Sequence, residues 1–205
     1  MSITTKRPPI KQTVGAQFIC FAVPTENGDW SGTFEETVEK TEVVKNIKIS
    51  ENSEQNDVYA SGSVYKSDTT SGADQIEVEV VAFPIETMAR MKGEEIIEGL
   101  HLAGGRREKP FFAYGKIVEY SGSVRLEWYP KCRWAGNTDE ASTREEKFTE
   151  QNDTITINAY PFNENGDKKT YVDSSESTFP KGLTKEKFFT KPILTKEDLT
   201  AALAA

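Results

Sequence analysis

His101, Cys20 and Cys132 are the side chains best suited to nucleophilic or acid-base chemistry, since the 205-residue chain has one histidine and two cysteines. Any Ser-His-Asp or Cys-His relay must run through His101. It stands in "EGLHLAGGRR" between leucines, and no G-x-S-x-G turn or comparable nucleophile context occurs elsewhere. His101 therefore reads as a structural residue. Cys132 sits in "SVRLEWYPKCRWAG", Ser123 to Gly136, flanked by Lys131 and Arg133 and close to Trp128, Tyr129 and Trp134. That stretch suggests either an activated thiolate or a stacking surface for nucleic acid.

Strand parity decides against both. Numbered as one strand, Val124, Leu126, Trp128, Cys132 and Trp134 share a face, and Arg125, Glu127, Tyr129, Lys131 and Arg133 share the other. The cysteine then points with the tryptophans and behaves as a small buried hydrophobe. The opposite face mixes Glu127 with the bases, a poor surface for gripping phosphate. Pro130 removes a ladder donor and implies an edge position or a bulge.

The remaining chemistry-bearing clusters are weaker. "AGGRREKP" from Ala103 has glycines and arginines but lacks the strand, the Gly-Lys-Ser/Thr and the following helix of a phosphate-binding loop. Carboxylates are plentiful, as at Glu35, Glu36, Glu39 and Glu42 or at Glu145, Glu146 and Glu150, yet nothing pairs any two of them for glycoside hydrolysis. One histidine and two distant cysteines offer no metal-ligand spacing. No catalytic, cofactor-binding or metal residue is expected.

The net charge of −8 and pI near 4.9 disfavour a surface built to hold a nucleic-acid backbone. No apolar run approaches the roughly 20 residues of a spanning helix, and "MSITTKRPPIKQTVG" has bases without a hydrophobic stretch behind them, so neither a membrane span nor a secretion signal is expected. Two cysteines without a CxxC suit a reducing cytoplasm, where the sequon at Asn152 has no meaning.

Period-two alternation sets the elements that must position these residues. "QIEVEVVA" from Gln75 puts Ile76, Val78, Val80 and Ala82 on one face, "DVYASGSVY" from Asp57 puts Val58, Ala60 and Val64 together, and "TITINA" from Thr154 does the same with Ile155, Ile157 and Ala159. Further strands are expected at Val14–Val23, Gly32–Val38, Val43–Ser50, Pro110–Tyr120 and Lys169–Asp173. One short helix, about residues 84–92, is expected between Pro84 and Gly93, with Ile85, Met88 and Ala89 at helical spacing. Thr195 can cap a second helix through Ala204. The expected fold is mainly β: an antiparallel β-sandwich or partly open barrel with one short flanking α-helix. Residues 1–13 are expected to form an N-terminal arm, 14–175 the β domain with its helix, and 176–205 a C-terminal arm, both arms flexible and ordering only on assembly.

The order of these segments resembles the major tail protein family of siphophages of Gram-positive hosts, the subunit of the phage tail tube. The resemblance spans Gly15 to Asp173. It is carried by "GAQFICFAV", by "VYASGSVY" with Ser61 where relatives tend to carry aspartate, by the helix closing on "RMKGEE", and by the block "FFAYGKIVEYSGSVRLEWYPKCRWAGNTDEASTREEKFTEQNDTITINAYPF". The resemblance implies a non-enzymatic structural protein of the virion, a subunit that self-assembles into stacked, hexameric rings. The rings would form the non-contractile tail tube, the conduit for genome ejection. It implies residence in the bacterial host cytoplasm before assembly. The implied partners are the chain itself, a tape measure protein, tail-end proteins and DNA in transit through an acidic lumen, with no membrane. Ala135–Asp153 would then be an inter-ring or inter-subunit loop. Two alternatives stay open: a tube subunit of a contractile injection or secretion system, and a carbohydrate-binding β-sandwich module stacking sugars on Trp30, Trp128 and Trp134.

Overall fold

The computed structural model describes residues 8–60, 63–104, 107–139 and 152–204. The expected mainly β architecture is what the chain adopts. Its main sheet has nine strands. β1 (Lys11–Pro24) is flanked on one edge by β2 (Trp30–Phe34) and β3 (Glu39–Thr41); β4 (Val44–Ser50) lies at the far end of the sheet against β7 (Asp74–Val80). Between them run β10 (Phe112–Tyr120), β11 (Ser123–Thr138) and β12 (Asp153–Ala159), and every pairing is antiparallel. β13 (Thr170–Asp173) shares an edge of β11 with β12, taking Arg125–Trp128 and leaving Cys132–Thr138 to its neighbour.

The chain passes from β3 at one end of the sheet to β4 at the other through Glu42 and Val43 alone. The two ends are therefore adjacent, and the sheet curls into a partly closed barrel. Its interior is packed by Ile19 and Phe21, Ile76, Val78 and Val80, Phe112 and Tyr114, Tyr129, Cys132 and Trp134, and Ile155 and Ile157. Helix α1 (Ile85–Lys92) adds Met88 and Met91 to this core. Gly93 ends the helix at φ 69°, and a Cβ there would lie 2.3 Å from the Glu108 carbonyl oxygen, so both conformation and space demand glycine. The helix stands where the sequence puts it, with Ala89 buried and Met88 against the core as expected; Thr87 and Met91 are buried with them, whereas Ile85 is 66 % exposed.

A second core lies on the outer face of β1, β10 and β11, formed by Phe18, Cys20, Ile117, Leu126 and Trp128 with Leu183, Phe188, Phe189 and Ile193 of the C-terminal segment. That segment carries α2 (Lys185–Phe188) and α3 (Lys196–Ala204). As expected, Thr195 caps α3: its Oγ1 accepts from the Asp198 amide at 3.2 Å, and Asp198 Oδ2 accepts from the Thr195 amide at 3.0 Å. The expectation of a flexible C-terminal arm gives way here. Phe188, Phe189 and Ile193 are each no more than 5 % exposed, because the sheet offers an apolar outer face on which this segment packs. At the other end β1 begins at Lys11; residues 1–7 lie outside the described region.

Two hairpins stand off the main sheet. β5 (Ser53–Ala60) pairs with β6 (Ser63–Ser71), and β8 (Glu95–Ile97) with β9 (Leu100–Leu102). The stretch from Asp57 to Tyr65, read as one strand, is thus two: alternation continues across a Ser-Gly step and cannot register the reversal.

Candidate functional site

β11 crosses the middle of the sheet, so Pro130 marks a bulge and not an edge. Tyr114 pairs with Tyr129 and Phe112 with Cys132, so Pro130 and Lys131 stand opposite Ala113 alone and β11 carries one extra residue. The bulge reverses the parity of everything after it. Leu126 and Trp128 point to the outer core, whereas Cys132 and Trp134 point into the barrel together with Tyr129. The single face expected for Val124, Leu126, Trp128, Cys132 and Trp134 is therefore split, and Tyr129, placed by simple counting among the charges, is 1 % exposed.

Both cysteines are buried, and they lie on opposite faces of the sheet. Burial pushes the Cys20 thiol up to about 11, with the Glu35 carboxylate adding to the shift, and raises Cys132 further still. Neither is a nucleophile near neutral pH. We expect no reaction of either thiol with an aromatic disulfide reagent at pH 8 until the chain unfolds; modification of the folded protein at the rate of a free cysteine would contradict the burial. The Cys20 proton also links to stability. The unfolded thiol titrates near 8.5 and the folded one near 11, so this contribution is complete below the first value and is lost as pH rises through the second.

His101 is exposed on β9, not in the core, and its Nδ1 lies 3.3 Å from Glu94 Oε2. Of the expected carboxylates, Glu35 pairs with Arg90, Glu39 accepts from Thr87 Oγ1 and Glu42 pairs with Lys40, so each is tied to its own neighbour. Glu145, Glu146 and Glu150 lie outside the described residues, as do 140–151 of the Ala135–Asp153 loop and Arg106 of the "AGGRREKP" turn. Arg107 of that turn pairs with Glu95 at 2.9 Å. Among the described residues no group of three or more His, Cys, Asp or Glu is placed to hold a metal ion, and no helix is long and apolar enough to cross a membrane.

The bulge also separates the charges of β11. Arg125 and Glu127 face the barrel side, where Arg125 binds Asp173 at 3.0 Å and Glu127 binds Lys116 at 3.0 Å. Lys131 and Arg133 emerge on the outer side among aromatic rings. Lys131 Nζ is 5.1 Å from the Trp30 centroid and 5.6 Å from that of Phe111, and the Arg133 guanidinium lies 3.9 Å over Phe111. Tyr160 meets Phe111 edge-on at 6.4 Å. Sequence reasoning missed this patch because its members come from distant strands and no local pattern joins them.

It also missed the β8–β9 hairpin, although Glu98-Gly99 between "EII" and "LHL" is a turn signal flanked by strand formers. Ile96, Ile97, Leu100 and Leu102 are 49 %, 48 %, 61 % and 36 % exposed. Ile97, Leu100 and Leu102 share one face of the ribbon and form an exposed apolar cluster of the kind that marks a contact surface, with Ile96 on the other face. What the geometry offers is thus a set of surfaces: an aliphatic hairpin, a long β5–β6 ribbon and a basic-aromatic patch. A scan of protein-family models and a search of curated proteins found no match to this chain, which leaves those surfaces to carry the functional argument.

Proposed function

We propose that this chain is a non-enzymatic structural subunit that self-assembles into a tube, in the manner of the tail tube subunits of siphophages that its segment order resembles. The observation that carries the reading is the β5–β6 ribbon. Among the described residues, strands of eight and nine residues pair only with each other and stand off the sheet. A two-stranded ribbon is at best marginally stable alone in water and leaves open backbone edges on both sides. A neighbouring subunit answers both demands.

On this reading the rings are hexameric and stack around a tape measure protein, and the net charge of −8 favours a lumen that repels DNA in transit. The sugar-binding alternative loses two of its three rings, since Trp128 and Trp134 are core residues at 0 % and 5 % exposure. Negative-stain electron microscopy of the purified protein over a range of concentrations tests the proposal. Uniform tubes or stacked rings are expected; a monomer at every concentration would overturn it.

A further inference from the structure

We propose that the β8–β9 hairpin of one copy docks on the basic-aromatic patch of Trp30, Phe111, Lys131, Arg133 and Tyr160 of a second copy, with Glu98 as the acidic group that meets Lys131. The inference rests on the self-assembly reading and names one surface pair through which it operates.

The patch lacks acceptors. Lys131 has no carboxylate within ion-pair distance among the described residues, and its ammonium lies over two aromatic rings. Arg133 reaches Glu108 through one terminal nitrogen at 3.5 Å, while its Nε is buried without a hydrogen-bond partner. The Trp30 indole nitrogen beside them is buried and has no hydrogen-bond partner among the described residues. The Lys131 ammonium, held over apolar rings with no carboxylate beside it, fits an acidic segment that also carries aliphatic side chains.

The hairpin has that composition. In its register Glu95 pairs with Leu102 and Ile97 with Leu100, so these four residues share a face, with Ile96 and His101 on the reverse. Glu94 and Glu95 are occupied within the chain, by His101 and Arg107 respectively. Glu98 is not. It makes no hydrogen bond or ion pair among the described residues, and it sits at the tip of the turn with φ 49°, followed by Gly99 at 88°. Two successive positive φ values define a turn that favours Asn or Gly at the first position, and a glutamate there is conformationally unfavourable. No contact among the described residues compensates for it; a carboxylate projected toward a cation on a neighbour does.

The contact that a ring or tube needs is head-to-tail, with the hairpin of each copy seated on the patch of the next and not exchanged reciprocally. It repeats from copy to copy and closes into a ring where the rotation allows, or continues as a filament where it does not. The aliphatic face supplies the dry centre of the contact, and the Glu98–Lys131 pair supplies its register and excludes wrong pairings.

The test compares Glu98→Lys, Lys131→Glu and the double swap with the parent by sedimentation velocity and negative-stain microscopy. Each single reversal is expected to raise the concentration needed for assembly by about tenfold or more, and the double swap to bring it back toward the parent value. Glu98→Gly gives a readout that a purely structural role does not predict: the monomer becomes more resistant to urea while assembly weakens. A parent that never assembles overturns the self-assembly reading itself. A parent that assembles alongside unaffected single variants overturns only this docking, and single losses that the double swap fails to rescue overturn the Glu98–Lys131 pairing.

Discussion

Replacing Phe189 by alanine is expected to lower the unfolding free energy by about 3–5 kcal/mol, and removing residues 180–205 is expected to leave a chain without cooperative unfolding. Phe189 is 4 % exposed and stacks on Phe18 with centroids 3.8 Å apart and planes 3° from parallel. It also meets Trp128 at 5.3 Å and Phe188 at 5.1 Å. The rings lie directly on the backbone of β10, since a Cβ at Gly115 would fall 2.9 Å from both Phe189 and Trp128. The Trp128 indole N–H donates to the Phe188 carbonyl at 3.1 Å, so the same contact that buries the indole satisfies its one polar atom. Losing the segment would expose Phe18, Ile117, Leu126 and Trp128 together and leave that N–H without its acceptor. A loss of this size is a large part of the roughly 5–15 kcal/mol that holds a domain folded. Urea unfolding followed by tryptophan fluorescence measures it. A truncated chain with an unchanged midpoint would show that the C-terminal segment is an appendage after all.

That segment shows where the sequence could be read and where it could not. The strands were legible because one buried face imposes alternation, as at Ile76, Val78 and Val80, all at 0 % exposure. Helix α1 was legible because Pro84 and Gly93 bracket it. The C-terminal segment looked like an arm because its apolar residues, Phe188, Phe189, Ile193 and Leu194 among them, follow neither strand alternation nor a long helical period, and only the tertiary structure shows that Phe188, Phe189 and Ile193 pack on the outer face of the sheet.

The site was less legible than the fold. The burial of Cys132 follows from its strand, but a single extra residue near Pro130 inverts the faces beyond it, and no alternation rule counts across a bulge. Lys131 and Arg133 thereby part from Arg125 and Glu127. The mixed-charge face that simple counting gives resolves into a set of ion pairs on one side and a basic-aromatic patch on the other. The patch itself depends on Trp30 of β2, Phe111 just before β10 and Tyr160 just after β12 arriving at one place, which only topology brings about.

Glu127→Gln is expected to cost about 3–5 kcal/mol, while the double variant Lys116→Met/Glu127→Leu is expected to match the parent or exceed it by about 1–4 kcal/mol. The pair faces the barrel side of the sheet on directly opposed residues of β10 and β11, at 6 % and 7 % exposure. Burial is the largest influence on Lys116 and lowers its pKa, although the Glu127 carboxylate at 3.0 Å pulls the other way. Desolvation therefore outweighs the attraction, and a single substitution is worse than the pair because it leaves one ion buried alone. The sign of the pH dependence follows. Between the lowered folded value and the unfolded lysine value near 10.4, the unfolded chain binds more protons at Lys116 than the folded one, so this term favours folding increasingly as pH rises. The penalty is complete below the folded value and relieved above the unfolded one. The advantage of the double variant over the parent should accordingly shrink between pH 7 and pH 10, as read from paired urea titrations. An advantage that stays constant across that range, or a double variant as unstable as Glu127→Gln, would mean that the ion pair and not its burial governs this side of the barrel.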